Sequence, residues 1–276
     1  MPYQPVQAAA IQLASGSNVN ANLLETERLV EAAVAKGAQL VVLPENFAFM
    51  GQSTAELLPL REPEGEGPLQ DFLSRLAARL KIWLVGGTIP LEAHDNGKVR
   101  AACLVYDDSG RQVIRYDKMH LFDVHIAESG EDYAESDHIE AGDAVRVVDT
   151  PFGKLGVAIC YDLRFPELFR AMLDQGAEIL ALPAAFTAIT GKAHWEVLLR
   201  ARAIENLSYV VAAAQGGFHV NGRETFGHSM VVDPWGSVLS VHPRGNGAAI
   251  AKLDGNLLRQ TRRNFPCVEH RRLRCR

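Results

Sequence analysis

Two well-separated segments of this chain repeat one short pattern. KGAQLVVLPENF occupies residues 36–47 and QGAEILALPAAF occupies residues 175–186, so that Gly-Ala, an apolar run, Leu-Pro and Phe recur in step. Each segment follows an amphipathic stretch, at residues 23–35 and 166–173 respectively. The pattern therefore predicts a helix, a glycine stop and a buried strand, twice over.

The similarity continues downstream in the same order. WLVGG (residues 83–87) matches YVVAA (209–213) as a later buried strand. LVYDDSG (104–110) matches MVVDPWG (230–236) as a strand that enters a hairpin turn. Leu-Pro and Asp-x-x-Gly are common in any α/β protein, but four matches in one order favour two similar halves packed together.

These matches define the domain organisation that we expect. The prediction is one α/β domain over residues 1–276, with halves at about 1–150 and 151–260 and a C-terminal tail at 261–276. Opening strands are expected at the start of each half, near residues 3–13 and 154–160. The acidic stretch 125–141 has no clear periodicity and is predicted to be a long functional loop.

Composition excludes several classes of protein. With 47% hydrophobic and 22% charged residues among 276, the chain is that of an ordinary globular protein with a large core. A net charge of -5 argues against nucleic acid as a partner. No apolar run approaches the ~18 residues of a membrane span, and no basic leader precedes residue 12. The four cysteines lack scaffold or CxxC spacing, which predicts reduced thiols in a cytoplasmic protein.

The repeat breaks at positions where chemistry is expected. Pro44 is followed by Glu45, whereas Pro183 is followed by Ala184. The opening strand of the second half runs into Cys160, at the carboxyl end where α/β sheets bind ligands. A carboxylate and a thiol at strand ends have no obvious packing role.

These residues suit the hydrolysis of an amide. An amide carbon is a poor electrophile, so its cleavage needs a strong nucleophile, a base and a donor for the oxyanion. Cys160 is the candidate nucleophile and Glu45 the candidate base. Lys118, just past the first hairpin, would stabilise the oxyanion and lower the cysteine pKa. Each residue alone has an ordinary explanation as a core thiol, a turn carboxylate or a solvated amine, so the hypothesis depends on their joint placement.

Three segments resemble a known family. LPEN (43–46), YDKMHLF (116–122) and GVAICYDLRFPE (156–167) are similar, in order, to the three signatures of the carbon–nitrogen hydrolase (nitrilase) superfamily. The stretches at 189–205 and 227–236 are most similar to its deaminated glutathione amidase branch. The resemblance implies an αββα sandwich of two pseudo-repeated halves, without metal or organic cofactor, assembled as a homodimer or higher homo-oligomer.

The resemblance also implies roles for individual residues. Glu45 would be the general base, Lys118 the oxyanion stabiliser and Cys160 the nucleophile, with the backbone N–H of Tyr161 as a second oxyanion donor. The family has a further active-site glutamate after the lysine.

Two glutamates compete for that further position. Glu128 and Glu135 each precede a serine, and the spacing from Lys118 favours Glu135.

Other chemistries were weighed. His120 shares a strand face with Lys118, which would allow a Cys–His dyad, but the glutamate already supplies a base. GHSMV (227–231) begins like a serine nucleophile elbow but lacks the final glycine. Cys267, His270 and Cys275 offer too few ligands, on a terminal tail, for a convincing metal site.

The substrate follows from the branch that the chain resembles. Deaminated glutathione would be hydrolysed to 2-oxoglutarate and cysteinylglycine, a metabolite-repair reaction. The alternatives are an ω-amidase on 2-oxoglutaramate, another small-amide or carbamoyl hydrolase, and a non-catalytic scaffold. We hypothesise that Arg164 binds a substrate carboxylate, the alternative being an ion pair with Glu167. Phe186 and Thr187 are expected to line the same pocket.

Overall fold

The computed structural model describes residues 5–127 and 130–273. We call residues up to 150 the first half and later residues the second half. The elements of the first half are β1 (Val6–Gln12), α1 (Val19–Val34), β2 (Ala38–Val42), a 3₁₀ helix (Thr54–Leu60), α2 (Pro68–Leu80), β3 (Trp83–Val85), β4 (Ile89–Glu92), β5 (Val99–Tyr106), β6 (Gln112–Asp117), β7 (Asp123–Ile126), β8 (Glu131–Ala134), a 3₁₀ helix (Glu135–Asp137) and β9 (Val147–Thr150).

The second half repeats the alternation. Its elements are β10 (Gly153–Val157), a 3₁₀ helix (Cys160–Arg164), α3 (Pro166–Asp174), β11 (Ile179–Ala184), α4 (Ala188–Asn206), β12 (Tyr209–Ala214), β13 (Gly216–Phe218), β14 (Glu224–Phe226), β15 (Ser229–Val232), β16 (Val238–His242), β17 (Gly247–Leu253) and α5 (Gly255–Asn264).

Two sheets of matching topology form the centre of the fold. The first has the order β17-β1-β2-β3-β5-β4, with β6 paired to β5, and the second has the order β16-β15-β12-β11-β10-β9. β1, β2 and β3 are parallel neighbours, as are β10, β11 and β12. An antiparallel strand flanks each opening strand: β17 pairs with β1, and β9 with β10. Each half therefore lends one strand to the other half's sheet.

The side chains of the strands separate two hydrophobic layers. Ala8 of β1 belongs to the core that also contains Val157 of β10. Its neighbour Ala9 packs instead with Leu29 of α1 and Leu73 of α2, as the period-2 geometry of a strand requires. Helices thus cover the outer face of the first sheet, α3 and α4 pack on the second, and the predicted αββα sandwich is confirmed.

Several predicted boundaries differ from those observed. The opening strands end at Gln12 and Val157, short of the predicted ends. α4 begins at Ala188, where the Thr187 hydroxyl caps it by accepting a hydrogen bond from the Thr190 N–H. The stretch 125–141, predicted to be a loop, contains most of the antiparallel hairpin β7–β8. His125 and Asp132 on these strands are exposed, so no apolar period marked the strands.

Across the described residues, no helix is both long enough and apolar enough to cross a membrane.

Candidate active site

Cys160 lies on a sharp turn at the carboxyl end of β10. It starts the 3₁₀ helix Cys160–Arg164 with φ 46°, in the left-handed region that side chains rarely adopt. The Asp162 carboxylate stabilises the turn by accepting a hydrogen bond from the Ile159 N–H at 2.8 Å. Backbone strain of this kind persists only where neighbouring groups hold it.

Asp162 connects this turn to the first half of the chain. Fully buried, it accepts the Tyr116 hydroxyl at 2.6 Å and the His120 backbone N–H at 3.0 Å. The His120 ring lies 2.6 Å from the same carboxylate through Nδ1 and stacks on Phe165 with ring centroids 3.8 Å apart. His120 is therefore held by the Asp162 carboxylate, and it is not among the described residues that line the cavity beside Cys160.

Glu45 follows the end of β2 after Leu-Pro. Its backbone carbonyl accepts a hydrogen bond from Gln215 Nε2 of the second half at 3.0 Å. Gly87 lies against this turn with φ +63°, and a Cβ there would stand 2.3 Å from the Pro44 carbonyl oxygen. Only glycine permits this close approach of the two chain segments.

Lys118 joins two carboxylates in the interior. Its Nζ lies 2.8 Å from Glu45 Oε1 and 2.8 Å from both carboxylate oxygens of Glu135. Lys118 is only 2% exposed and Glu45 only 4%. Glu135 also accepts the Phe122 N–H at 2.7 Å. The structure thus brings Glu135 to Lys118, whereas the alternative, Glu128, lies outside the described residues.

Burial and the neighbouring charges set the protonation states. Burial alone would lower the pKa of Lys118, but the negative charges of Glu135 and Glu45 outweigh it and hold the pKa well above its ordinary value. Burial raises the pKa of Glu135, with Lys118 opposing and Glu45 adding to the effect. The cluster therefore keeps Lys118 as an ammonium.

The net effect on Cys160 is opposite to our expectation. Burial and the negative charge of Glu45, which also shares a hydrogen bond with the thiol, raise the pKa of Cys160 well above its ordinary value. Lys118 lowers this pKa as predicted, but by less. The resting thiol is consequently protonated.

One backbone donor contacts the Cys160 sulfur, and a second follows Cys160 in the chain. The Ala185 N–H lies 3.5 Å from Sγ, just beyond the end of β11. Tyr161 is in the first turn of the 3₁₀ helix, where backbone N–H groups lack partners within the helix. These donors and the Lys118 ammonium can stabilise negative charge that develops beside the thiol.

A cavity of about 400 Å³ opens above these groups and falls in the range of small-molecule sites. Arg164, Phe186 and Thr187 all line it. The Arg164 guanidinium lies 5.1 Å from the Phe186 ring centroid and 3.2 Å from His194 Nδ1, measured from Nη1. Thr187 is buried and also caps α4, so it stabilises the start of that helix as well as lining the cavity.

The sequence analysis missed several residues of the site. Asp162 and Tyr116 lie inside the quoted signature segments and were left without a role. Gln215, fully buried and bonded to Glu45, follows β12 without any distinguishing pattern. Arg223 lines the cavity from the turn between β13 and β14, and a lone arginine between glycine and glutamate carried no signal.

The described residues contain no group of three or more His, Cys, Asp or Glu side chains arranged to hold a metal ion. Of the tail residues that we weighed as ligands, Cys267 is a free, half-buried thiol. Cys275 lies outside the described residues.

The family is settled by comparison with known proteins. The family model described as "Carbon-nitrogen hydrolase" matches residues 7–263. This chain is a carbon-nitrogen hydrolase. The family acts on C–N bonds of amides, which is the chemistry that the site was predicted to perform.

Its relatives among curated and solved proteins agree. This hydrolase is 44% identical to deaminated glutathione amidase of Synechocystis sp., over 97% of this chain and 98% of that one. It is also 44% identical to the human protein of that name, over 96% and 81% of the two chains. The crystal structure of Saccharomyces cerevisiae Nit3, "a member of branch 10 of the nitrilase superfamily", superposes with TM-score 0.88 at 32% identity, covering 99% and 98% of the chains. That of the C. elegans NitFhit protein gives TM-score 0.89 at 38% identity, covering 99% of this chain and 66% of that one.

Proposed function

We propose that this hydrolase cleaves deaminated glutathione to 2-oxoglutarate and cysteinylglycine, as a metabolite-repair enzyme. Two relatives at 44% identity over nearly the whole chain carry the name deaminated glutathione amidase. A cavity of about 400 Å³ has room for a tripeptide-sized amide. An ω-amidase substrate such as 2-oxoglutaramate would leave much of that volume unfilled.

One observation carries the chemistry: Glu45, Lys118 and Cys160 line one cavity, and the Lys118 ammonium lies 2.8 Å from the Glu45 carboxylate. In the proposed mechanism Glu45 takes the thiol proton as Cys160 attacks the amide carbon. Because the pKa of Cys160 is raised, proton transfer accompanies attack rather than preceding it.

The remaining steps use the same groups. Lys118 and the Tyr161 N–H stabilise the tetrahedral oxyanion. Glu45 then gives its proton to the leaving amine nitrogen, which departs as cysteinylglycine and leaves a thioester on Cys160. Glu45 next activates a water molecule, which hydrolyses the thioester to the free acid. Glu135 keeps Lys118 charged and in place.

The acyl side of the substrate carries a 2-oxo acid. We assign its carboxylate to Arg164, whose guanidinium lines the cavity between the rings of Tyr161 and Phe186. A guanidinium binds a carboxylate in a planar, bidentate fashion. Phe186 and Thr187 would form the wall beside the acyl chain.

Assembly and location are part of the proposal. Exposed apolar side chains lie on α4 and near the C-terminal helix, with Val197 68%, Trp235 61% and Phe265 50% exposed. Such residues favour a homodimer, since soluble monomers seldom expose large apolar groups together. Cys103, Cys160 and Cys267 are free thiols, which favours the cytoplasm.

The test is 2-oxoglutarate release from deaminated glutathione by the purified protein, with Cys160→Ala assayed alongside. The proposal predicts release that disappears in the variant while the variant remains folded by circular dichroism. Release from 2-oxoglutaramate alone would replace the substrate by that of an ω-amidase. Absence of release from either amide would favour the non-catalytic scaffold.

A further inference from the structure

Arg223 is a cation in the cavity wall that the mechanism above does not use. It stands on the turn between β13 and β14, and its side chain reaches the wall beside the nucleophile. Its Nη2 donates a hydrogen bond to the Ala185 carbonyl, and the Ala185 N–H in turn lies 3.5 Å from Cys160 Sγ. Ala185 therefore links the two groups: its carbonyl holds the guanidinium and its N–H contacts the reacting thiol.

The hydrogen-bonding capacity of Arg223 is not filled by the described residues. Within residues 5–127 and 130–273 its buried Nε has no hydrogen-bond partner, and it takes part in no ion pair. An unsatisfied buried donor destabilises the fold, and more so where the group is charged. Such a cost is offset when a ligand supplies the acceptor.

Two other cations of the cavity, Lys118 and Arg100, are already paired with carboxylates. Lys118 is held by two carboxylates. Arg100 donates to the Ala141 carbonyl and pairs with Glu140. Asp132, an exposed acidic residue that lines the outer cavity, contacts His125 rather than Arg223, with its carboxylate 2.7 Å from His125 Nδ1. Arg223 therefore remains available to a negative ligand.

An aromatic row separates Arg223 from Arg164. The Arg223 guanidinium lies 5.2 Å from the Tyr133 ring centroid, and Arg164 lies 5.7 Å from that of Tyr161. Phe122 stands between the two tyrosines, with centroids 4.9 Å and 5.1 Å away. The two guanidinium groups thus contact the first and the last ring of one aromatic row.

We propose that Arg223 binds a carboxylate on the leaving-group side of the scissile bond, so that the site selects amides with an anion on each side of that bond. The assignment rests on the proposed function, in which Arg164 takes the acyl-side carboxylate. In deaminated glutathione the leaving-side anion is the terminal carboxylate of the glycine residue. A simple ω-amide has no such group and gains nothing from Arg223.

The test compares deaminated glutathione with its C-terminal carboxamide, which lacks only that carboxylate. Full-length wild-type protein, Arg223→Gln and the surface control Arg28→Gln are assayed on both. Arg223→Gln should raise KM for deaminated glutathione roughly 10- to 100-fold, the loss typical of a charge-assisted hydrogen bond. Wild-type protein should suffer a similar loss on the carboxamide, and the variant should lose no more than about two-fold further.

The other outcomes contradict the assignment in distinguishable ways. Equal losses for Arg223→Gln on both substrates would make Arg223 a support for the Ala185 backbone only. Equal wild-type rates on both substrates would show that the terminal carboxylate is not recognised, while leaving the proposed function intact. Failure of wild-type protein to hydrolyse either compound would remove the proposed function and the Arg223 assignment together.

Discussion

The two halves of the molecule present similar strand ends with different chemistry. β2 and β11 both run into Leu-Pro, but Glu45 follows in the first half and Ala184 in the second. The two halves can be aligned by the register of β1 against β2 and of β10 against β11. In that alignment Cys160 occupies the position that Leu13 has in the first half. A duplicated framework therefore carries one composite site, with ion-paired groups from the first half and the thiol from the second.

The contrast explains why the site lies between the halves. The first half contributes Glu45, Lys118 and Glu135, in which one ammonium pairs with two carboxylates in the interior. The second half contributes Cys160 and the backbone donor of Ala185, neither of which carries a formal charge at rest. This arrangement leaves Glu45 beside the thiol while Lys118 holds its carboxylate in place.

The largest effect is expected from removing the positive charge of Lys118, which the first half contributes to the site. Lys118→Met leaves Glu45 and Glu135 buried without a cation. We predict a fall in kcat/KM of at least ~10³-fold and a loss of about 3–5 kcal/mol in the free energy of unfolding. Urea titration and steady-state kinetics measure both, with the exposed residue Lys252→Met as the control.

The same variant has a signed pH dependence. In the wild-type protein burial raises the pKa of Glu135 and Lys118 opposes the rise, so removal of Lys118 raises that pKa further. A carboxyl group whose folded pKa exceeds its unfolded value stabilises the fold below the unfolded pKa, and that contribution is lost as pH rises through the folded pKa. The stability deficit should therefore grow between about pH 5 and pH 8. A deficit that shrinks over this interval would contradict the interpretation.

A smaller effect is expected at the link between the halves. Asp162→Asn places an amide where the carboxylate accepts Tyr116, Ile159 and His120. We predict a loss of about 2–3 kcal/mol in stability and a fall in kcat of about 10²-fold through displacement of Cys160. The control Tyr116→Phe removes one hydroxyl and should cost about 1 kcal/mol. Unchanged kcat in Asp162→Asn would mean that the turn holds its geometry unaided.

The smallest effect concerns substrate binding at the second half. Arg164→Lys keeps the charge but loses the planar fork, so KM for deaminated glutathione should rise about 10-fold with little change in kcat. Steady-state kinetics provide the measurement, and Arg28→Lys on α1 is the matched control. An unchanged KM would remove Arg164 as a carboxylate ligand and favour the ion-pair alternative with Glu167.

Most of the strands and helices could be predicted from the sequence, because short runs of consecutive residues encode them. The strand ends at Glu45 and Cys160 were marked by short apolar runs with Leu-Pro or a signature segment, and the structure brings both to Lys118. The resemblance implied a further glutamate, and its spacing from Lys118 selected Glu135, which the structure places against Lys118. Patterns of this kind depend on a few consecutive residues, which is why one chain sufficed to detect them.

What escaped prediction depends on long-range contacts. The return of β17 to pair with β1 joins Val6 to Leu253 across nearly the whole chain, and no local pattern encodes it. The net rise in the pKa of Cys160 depends on how completely the fold buries it beside Glu45. Arg223 reaches the cavity only because the hairpin β13–β14 turns toward it. Such features arise from tertiary packing rather than from propensity or motif.

The central claim is that Glu45 of the first half is the base for Cys160 of the second. Its most direct test is the pH dependence of Cys160 alkylation by iodoacetamide in wild-type protein and Glu45→Gln, with turnover measured on the same preparations. Burial and Glu45 raise the wild-type thiol pKa, and Lys118 lowers it. Removing the charge of Glu45 should therefore lower the thiol pKa and speed alkylation near neutral pH, while turnover falls at least ~10³-fold. Near-full turnover in Glu45→Gln, or a thiol pKa that does not fall, would contradict the account.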